Sequence, residues 1–243
     1  MDNVLRAGLL AHSRTWDYLC KVGRALNLID SALSAIPYVA LSGGKDSLVC
    51  LDLARRVKPG IPAIWSDDEL EYPEQETYIP DLCRQMGSRL YITSGYRSIH
   101  NGWFRPWSVH PYWREKPPGM IEDPRPIECL ARDLGFGGVI LGLRRQESSK
   151  RKIYLSKKHE LYDVSYGMTL IHPIAGWTVY DVWAYIVSNN LYYNPVYDRL
   201  TEAGIELSKQ RVGPLPLSNG WHLREAYPEM YRRLIARYGN RWS

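Results

Sequence analysis

The sequence predicts an α/β protein built on a parallel twisted sheet with helices on both faces. Short apolar runs alternate along the chain with longer segments in which apolar residues recur at helical spacing, and this alternation favours a parallel sheet covered on both sides. A glycine-rich turn also stands between one apolar run and one helical segment. Ligands of such sheets bind at the carboxyl ends of the strands, so this turn is the first place to look for function.

Four apolar runs are of strand length, a fifth short extended piece begins at Leu170, and several other segments have helical periodicity. The predicted strands are 38–41, 61–65, 89–92, 138–141 and 170–171. Helix-spaced apolar residues occur in 4–33, 48–53, 127–134, 178–186 and 227–238. A further helical stretch opens at Tyr72, but Pro80 is expected to interrupt it or to restart it at a first-turn position.

Composition limits the class of protein. The 243 residues are 45% hydrophobic and carry a net charge of +5, which allows one sizeable core and is compatible with anionic substrates or nucleic acid. The four cysteines, Cys20, Cys50, Cys83 and Cys129, are scattered, so neither a disulfide framework nor a zinc cluster is expected. No signal pattern opens the chain and no apolar run approaches membrane-spanning length, which predicts a cytoplasmic location and no membrane partner.

The segment Ser42–Ser47 reads Ser-Gly-Gly-Lys-Asp-Ser and joins a predicted strand to a predicted helix. Glycines let the backbone approach a ligand closely, and the amides at a helix N-terminus attract anions. Lys45 adds a full positive charge, and the two serines add hydroxyl groups. The spacing matches neither the nucleoside-triphosphatase P-loop nor the dinucleotide fingerprint. The alternative is an ordinary Gly-Gly turn, but the strand-turn-helix context favours a phosphate-binding loop of a nucleotide-binding enzyme.

A second polar segment, Gly142–Ser148, follows the fourth predicted strand, and Arg151 comes three residues later. Two guanidinium groups, those of Arg144 and Arg145, can hold phosphate or sulfate through paired hydrogen bonds. Glu147 can position one of the arginines or accept a hydrogen bond from a ribose hydroxyl. A solvated basic loop is the other interpretation. The phosphate-binding interpretation gains support because both segments are expected at the same edge of the sheet.

The hexapeptide Ser42–Ser47 resembles the PP-loop of the ATP pyrophosphatase superfamily. Gly142–Arg151 resembles the Gly-Ile/Leu-Arg-x-x-Glu-Ser-x-x-Arg motif of the phosphoadenosine phosphosulfate (PAPS) reductase family. Asp67, Glu71 and 72–74 resemble the stretch after that family's second strand, and 174–185 and 193–198 resemble its later segments. The resemblance covers residues 38–198 and implies an adenine nucleotide alpha hydrolase-like fold of the PP-loop type.

The resemblance also implies where an adenosine nucleotide binds. The expected nucleotide-binding residues are Ser42, Gly43, Gly44, Lys45, Asp46, Ser47, Trp65, Asp67, Gly142, Arg144, Arg145, Glu147 and Arg151. Four of these are expected to be catalytic, namely Lys45, Asp46, Arg144 and Arg145. Lys45 and the loop amides would stabilise charge on departing pyrophosphate, and Arg144 or Arg145 would clamp the transferred group. Asp46 caps the helix or holds a water or magnesium. The expected small molecules are ATP and Mg²⁺, with magnesium bridging the phosphates.

The chain departs from the reductases in its cysteines. Reductases of this family use a C-terminal catalytic cysteine, and many hold an iron–sulfur cluster with cysteine pairs. No cysteine follows Cys129, and 115–119 and 213–216 contain none where cluster ligands would be expected. Cys129 itself is expected to be a small buried apolar residue. We therefore expect no iron–sulfur cluster and no reductase activity.

Several functions stay open at this point. The first is an ATP pyrophosphatase that adenylates an acceptor. It would act in sulfur transfer or DNA phosphorothioate-type modification, or it would be a transferase similar to FAD synthetase or sulfate adenylyltransferase. A second is a non-catalytic nucleotide-binding component of an assembly that receives sulfur from a donor protein, and a third binds PAPS without reducing it.

The predicted domains are 1–198, with an insertion at 96–124, and a basic aromatic extension at 199–243. Nucleic acid is a candidate partner because aromatic and arginine side chains are concentrated in the insertion and in the extension. A homodimer is a further arrangement that the aromatic extension could support.

Overall fold

A computed structural model of the chain describes residues 2–67, 71–94, 120–121, 127–157, 161–163, 167–212 and 220–238. One sheet contains all seven strands of this described part. The strands are β1 (Pro37–Ala40), β2 (Ala63–Asp67), β3 (Leu90–Ser94), β4 (Met120–Ile121), β5 (Gly138–Ile140), β6 (Leu161–Asp163) and β7 (Thr169–Ile171). The α-helices are α1 (Asn3–His12), α2 (Trp16–Ser31), α3 (Lys45–Val57), α4 (Gln75–Gln85), α5 (Ile127–Asp133), α6 (Ser149–Lys157), α7 (Val179–Ser188), α8 (Val196–Glu202), α9 (Gly220–Ala226) and α10 (Pro228–Tyr238).

The strand order is β4-β3-β2-β1-β5-β7-β6. All neighbours pair in parallel except β6 and β7, which are antiparallel. The chain leaves β1 through α3 to β2 on one side and later returns to β5 on the other. The order of the strands therefore reverses between β1 and β5, and ligands of open α/β sheets bind in the crevice at such a point.

Alternate residues of the inner strands enter two separate hydrophobic clusters. Val39 and Ile140 belong to a large cluster that includes Leu51 of α3. Tyr38 belongs to a smaller cluster together with Leu130 of α5. Because successive side chains of a strand point to opposite faces, the sheet is buried on both sides. The prediction of a parallel sheet with helices on both faces is confirmed.

The helix-spaced segment 4–33 is interrupted in the structure, where α1 ends at His12 and α2 begins at Trp16. The Ser13 hydroxyl donates a hydrogen bond to the Leu10 carbonyl, and the Thr15 hydroxyl donates to the His12 carbonyl. Side chains that bond to local carbonyls in this way compete with continued helical bonding. Apolar spacing alone did not show this break.

The prediction that Pro80 interrupts its helix or restarts it at a first-turn position is wrong, because α4 runs from Gln75 to Gln85 with Pro80 in its interior. A proline inside a helix removes one backbone hydrogen bond and costs about 3 kcal/mol. The turns on both sides of Pro80 bury Ile79 and Leu82 in the large cluster, and this packing offsets the cost. Strands β4 and β6, of two and three residues, were not predicted.

The predicted insertion 96–124 lies outside the described residues except for Met120 and Ile121. Residues 213–219 and 239–243 of the predicted extension also lie outside them. In the described part of the extension, Leu200, Leu223 and Leu234 are buried in the large cluster that covers the sheet. The division at residue 198 stays a prediction. None of the described helices combines the length and apolar character that crossing a membrane requires.

A buried carboxylate joins the N-terminal helices to α7. Asp181 accepts hydrogen bonds from His12 Nε2 at 2.7 Å and from Lys21 Nζ at 3.1 Å. It also accepts from the backbone amide of Thr178, which caps α7. Burial alone raises the pKa of Asp181, but the hydrogen bonds from Thr178, His12 and Lys21 outweigh it and hold the pKa below its ordinary value of 3.8.

Replacement of Asp181 by asparagine is expected to lower the free energy of unfolding at pH 7 by about 1–3 kcal/mol, since hydrogen bonds to a charged group are lost. The pKa of Asp181 is lower in the folded state than in the unfolded state, so the carboxylate stabilises the fold fully at neutral pH. This contribution begins to decrease below about pH 4 and is lost as the pH falls through the folded-state pKa. Urea unfolding at pH 7 and at a series of pH values from about 4 down to about 2 measures both effects. Asp17→Asn is the matched control, since exposed Asp17 pairs with the same Lys21. Equal losses in the two variants would contradict the prediction.

Candidate nucleotide-binding site

The loop between β1 and α3 holds a backbone conformation that its two glycines permit. Gly43 has a φ of 70°, and a Cβ placed on it would lie 1.7 Å from Gln75 Oε1. A Cβ on Gly44 would lie 3.1 Å from the Val212 carbonyl oxygen. Gly43 therefore needs both left-handed backbone freedom and the absence of a side chain. The Asn194 side-chain amide fixes the loop further by donating a hydrogen bond to the Gly43 carbonyl at 3.2 Å.

The two serines of the loop bond to each other and to the backbone. Ser47 Oγ donates to the Gly44 carbonyl at 2.9 Å and lies 3.2 Å from Ser42 Oγ. The Ser42 amide donates to Ser47 Oγ at 3.3 Å. These bonds close the loop over the first turn of α3, a helix of 13 residues. The predicted arrangement of strand, glycine turn and helix N-terminus is present.

Lys45 is the first residue of α3, and its side chain is buried. Its amide donates a hydrogen bond to the Tyr197 hydroxyl at 2.8 Å, and its Nζ donates to the Gln210 carbonyl at 3.4 Å. Nζ also lies 5.6 Å from the centre of the Tyr197 ring, within cation–π distance. The position of Lys45 is thus set by two residues of the C-terminal region. Burial, and then the charge of Asp46, raise the pKa of Tyr197, so this phenol stays protonated.

Two cations converge on Asp46. Arg144 Nε donates to Oδ1 of Asp46 at 2.6 Å, and Lys45 Nζ lies 3.2 Å from Oδ2. The Arg144 and Lys45 side chains are each only 5% exposed. Water screens such charges weakly, so they interact strongly with one another and with any anion that reaches them. The structure therefore brings together three of the four predicted catalytic residues.

Gly142 explains why the arginine segment lies so close to the phosphate loop. A Cβ on Gly142 would lie 2.8 Å from the Asp46 carbonyl carbon and 2.9 Å from the Ser47 amide nitrogen. A side chain at this position would therefore push the end of β5 away from the first turn of α3. The two predicted segments meet at the crevice between β1 and β5.

Glu147 positions the arginine segment. Its carboxylate accepts a hydrogen bond from the Arg144 amide at 2.9 Å and forms an ion pair with Arg151. Its carbonyl oxygen accepts from the Arg211 guanidinium at 2.8 Å. Of the two roles predicted for Glu147, the structure displays the positioning of arginine residues.

Three other predicted residues contact different parts of the molecule. The Trp65 side chain is buried in the large hydrophobic cluster, and Asp67 is buried at the end of β2. The Arg145 amide donates to the Ala175 carbonyl at 2.9 Å. Its Nη1 lies 3.6 Å from where a Cβ on Gly176 would be, so its guanidinium lies beside the turn before α7. Their roles in nucleotide binding stay predictions.

Four residues around the loop were missing from the predicted site, namely Asn194, Tyr197, Gln210 and Gln75. Tyr197 and Asn194 lie in the segment 193–198, which resembles a later segment of the family, so a signal for them exists in the sequence. Gln210 contacts Lys45 through its backbone carbonyl, and any residue type supplies that group. Gln75 faces Gly43 from α4, a contact that sequence spacing does not show.

The cysteines lie in other places. Burial raises the pKa of the Cys83 thiol to about 12, and it also raises that of Cys50, so both stay protonated at neutral pH. Cys20 lies on α2. Cys129 is partly exposed on α5, whereas it was expected to be buried.

The described residues contain no group of three or more His, Cys, Asp or Glu side chains that could hold a metal ion. Both carboxylate oxygens of Asp46 already face cations. What the arrangement offers is positive charge, from two buried cations and from a helix N-terminus, at the edge of the sheet where phosphate binds in such folds.

Comparison with known proteins identifies first the class and then the family. The yeast FAD synthetase (Fad1) in complex with FAD matches with a TM-score of 0.54 at 12% identity, covering 94% of this chain and 82% of that one. The U34-tRNA thiolase NcsA of Methanococcus maripaludis, with its [4Fe-4S] cluster, matches with a TM-score of 0.51 at 14% identity, covering 93% and 76%. These neighbours show the PP-loop, adenine nucleotide alpha hydrolase-like fold.

The family model of the phosphoadenosine phosphosulfate reductase domain matches residues 36–233. The chain therefore belongs to the phosphoadenosine phosphosulfate reductase family, as its motifs predicted. A relative named phosphoadenosine 5'-phosphosulfate reductase, from Alkalilimnicola ehrlichii, is 24% identical over 164 residues, which are 65% of this chain and 64% of the relative. The match thus spans slightly less than two thirds of that relative's length.

Proposed function

We propose that this protein binds ATP in the crevice between β1 and β5 and transfers AMP to an acceptor with release of pyrophosphate. The observation that carries the proposal is the convergence of Lys45 and Arg144 on Asp46 at the N-terminus of α3. The phosphate loop and the arginine segment are packed together there, so one bound phosphate chain could contact both. The fold is shared with a FAD synthetase, which supports adenylyl transfer as a chemistry suited to this architecture.

In the proposed reaction an acceptor oxygen attacks the α-phosphorus of ATP. The bond from that phosphorus to the oxygen bridging to the β-phosphate breaks, and pyrophosphate leaves with the electron pair, while the acceptor proton passes to solvent. Lys45 and the amides of the loop stabilise the charge that develops on pyrophosphate, and Arg144 holds the transferred phosphoryl group. Asp46 holds the two cations in place. Magnesium would arrive with the nucleotide, bound to its phosphates.

Reduction of PAPS is not what we propose for this chain. The four cysteines lie outside the loops that form the candidate site, and the thiols of Cys50 and Cys83 are buried and protonated. A sulfur-oxygen bond could not be reduced there without an electron donor. If sulfur takes part, a partner protein has to supply it, and that partner, like the homodimer, stays a prediction.

The acceptor that fits best is a large anion. Helix α6 follows the arginine segment and reads Ser-Lys-Arg-Lys-Ile-Tyr-Leu-Ser-Lys. Lys150 and Lys152 are exposed on it, and the side chain of Ile153 is 56% exposed. Exposed cations beside exposed apolar surface suit a nucleic acid, whose phosphates and bases they can contact. A tRNA-modifying enzyme is among the structural neighbours, which agrees with this choice.

The experiment combines purified protein, magnesium and ATP labelled in the γ-phosphate with transfer RNA, duplex DNA, FMN or sulfate, and measures release of labelled pyrophosphate. We expect release that depends on one acceptor and, for a nucleic acid, falls several-fold in Lys150→Glu/Lys152→Glu. Calorimetry with ATP and with PAPS measures nucleotide preference, and ATP is expected to bind more tightly. If no acceptor causes pyrophosphate release and PAPS binds more tightly than ATP, the results favour a nucleotide-binding component without catalysis. They would then overturn the proposal.

A further inference from the structure

Helix α2 exposes an apolar stripe on the side that faces away from the core. Its buried residues are Tyr18, Ala25 and Ile29. Trp16 and Leu19 lie toward the solvent, where they are 81% and 50% exposed. Single exposed apolar residues are common on protein surfaces. Residues three apart on a helix are neighbours, however, so Trp16 and Leu19 form one continuous patch.

Gly23 continues this stripe with a gap. It follows Trp16 by seven residues, which is about two helical turns, and therefore lies on the same side of α2. A Cβ placed on Gly23 would meet no atom within 4 Å, and its φ is not positive. Glycine inside a helix is less favourable than alanine, and no contact or backbone conformation within this chain requires it there. The outer side of α2 thus carries a protruding ring and, two turns later, an open notch.

Opposite charges flank the two ends of the stripe. Asp17 is next to Trp16 and its side chain is 73% exposed, while Arg24 is next to Gly23 and is exposed. These two charged residues are also seven positions apart, so they lie on the same flank. Asp17 pairs with Lys21 of the same helix at 3.0 Å, and a carboxylate has the capacity to accept a second cation as well.

The order of these features is complementary to its own reverse. If two α2 helices pack antiparallel about a two-fold axis that passes between residues 19 and 20, Trp16 lies opposite the partner's Gly23, and the two Leu19 side chains meet at the axis. The same flank of each helix then faces the other. At about 1.5 Å per residue, Asp17 is within about 3 Å of the level of the partner's Arg24 along the helix axis. Each ring therefore faces a notch, and each acid faces a base.

We propose that α2 is the interface of a dimer with a second copy of this chain, packed antiparallel through Trp16, Leu19 and Gly23. An isologous contact uses the same patch on both copies, which this two-fold arrangement provides. The proposal locates the predicted homodimer on α2 rather than on the aromatic extension. One pair of helices is a small interface compared with the minimum of about 1,200 Å² for stable complexes, so the dimer is reversible and depends on protein concentration.

Sedimentation velocity of the full chain from about 1 to 200 µM measures the association. The wild type is expected to shift from monomer toward dimer over this range. Trp16→Glu places a charge in the interface and should weaken association at least about tenfold. The control is Ile153→Glu, which changes an exposed apolar residue of α6 and should associate like the wild type.

Gly23→Leu tests the notch without threatening the fold. The leucine side chain fills the space that the partner's Trp16 would occupy, so association should again weaken at least about tenfold. The unfolding temperature at low protein concentration should not fall, because a side chain has room at this position and leucine favours a helix more than glycine does.

Charge reversal tests the antiparallel arrangement. Asp17→Arg and Arg24→Asp each place like charges opposite one another, so each variant alone should associate several-fold more weakly. The double variant should recover the wild-type association. An equimolar mixture of the two single variants should form a mixed dimer, because each chain supplies the charge that the other lacks. Circular dichroism checks the fold of every variant.

Four results would each overturn the proposal. They are a wild type that stays monomeric up to about 200 µM, unchanged association in Trp16→Glu, unchanged association in Gly23→Leu, and a mixture of the two charge variants that associates no better than either variant alone. None of these measurements uses a nucleotide, and the exchanged residues lie outside the candidate site. Failure to bind ATP would therefore contradict the proposed function without bearing on the dimer.

Discussion

Replacement of Lys45 by methionine is expected to reduce acceptor-dependent pyrophosphate release by about a hundredfold to a thousandfold, as loss of one preorganised charge-stabilising donor typically does. Lys45 is buried at the N-terminus of α3, where its charge lies close to Arg144 through their shared partner Asp46. A buried cation is weakly screened, so if phosphate binds here its contribution to stabilising the phosphate charge is expected to be large. Methionine keeps a similar length and removes the ammonium group, together with its charge and its hydrogen bond to the Gln210 carbonyl.

Steady-state assays of pyrophosphate release, with circular dichroism and thermal unfolding of the same samples, check this prediction. The matched control is Lys58→Met, which removes an exposed lysine just after the other end of α3 and should leave activity within a factor of two or so. ATP affinity should fall in Lys45→Met and stay unchanged in the control. Wild-type activity in a folded Lys45→Met protein would show that the reaction, if present, takes place elsewhere.

Replacement of Arg144 by methionine is expected to cost about 2 kcal/mol of stability and most of the activity. Removing one partner of a buried ion pair can cost 3–5 kcal/mol, but Asp46 retains Lys45 at 3.2 Å and is partly open to solvent, so the lower value is expected. Lysine at position 144 should not restore activity, because an ammonium cannot reproduce the planar fork of a guanidinium. Urea unfolding and the pyrophosphate assay measure the two effects.

A double-mutant cycle with Asp46→Asn separates the pair from its surroundings. A coupling free energy of about 1–3 kcal/mol is expected between positions 46 and 144. The control cycle uses Arg84 and Asp81, an ion pair on α4 with an N–O distance of 2.8 Å in which the arginine side chain is 75% exposed. Exposed pairs contribute under about 1 kcal/mol. Equal coupling in the two cycles would mean that the burial of Arg144 confers no special role.

The sequence made the centre of the site predictable because the chemistry there depends on local order. A strand, two glycines, a lysine and a helix start are contiguous in 38–53, so their geometry follows from neighbouring residues alone. The meeting of Asp46 with Arg144 followed from topology, since both come after parallel strands that proved to be adjacent. The family was predictable for the same reason, because each of its motifs is short and lies within one loop.

What the sequence did not reveal depends on contacts between distant parts of the chain. Tyr197 looks like one of many aromatic residues, and only the folded structure places its hydroxyl on the Lys45 amide. Arg144 and Arg145 are residues of the same type. The backbone nevertheless directs the Arg144 side chain toward Asp46 and the Arg145 side chain toward the turn at Gly176. Pro80 shows the same limit, since tertiary packing overrode its local preference.

The hydrogen bond between Lys45 and Tyr197 joins positions 152 residues apart, and this has a consequence for biosynthesis. A nascent chain that has not yet reached position 197 carries the whole hexapeptide but lacks the phenol that orders its first helical amide. Contacts of such long range form late, after the intervening chain has been made and closed into a loop. Competence to hold a nucleotide should therefore be acquired only after position 197 has been synthesised, and a ribosome-bound fragment that ends before it should bind a nucleotide weakly.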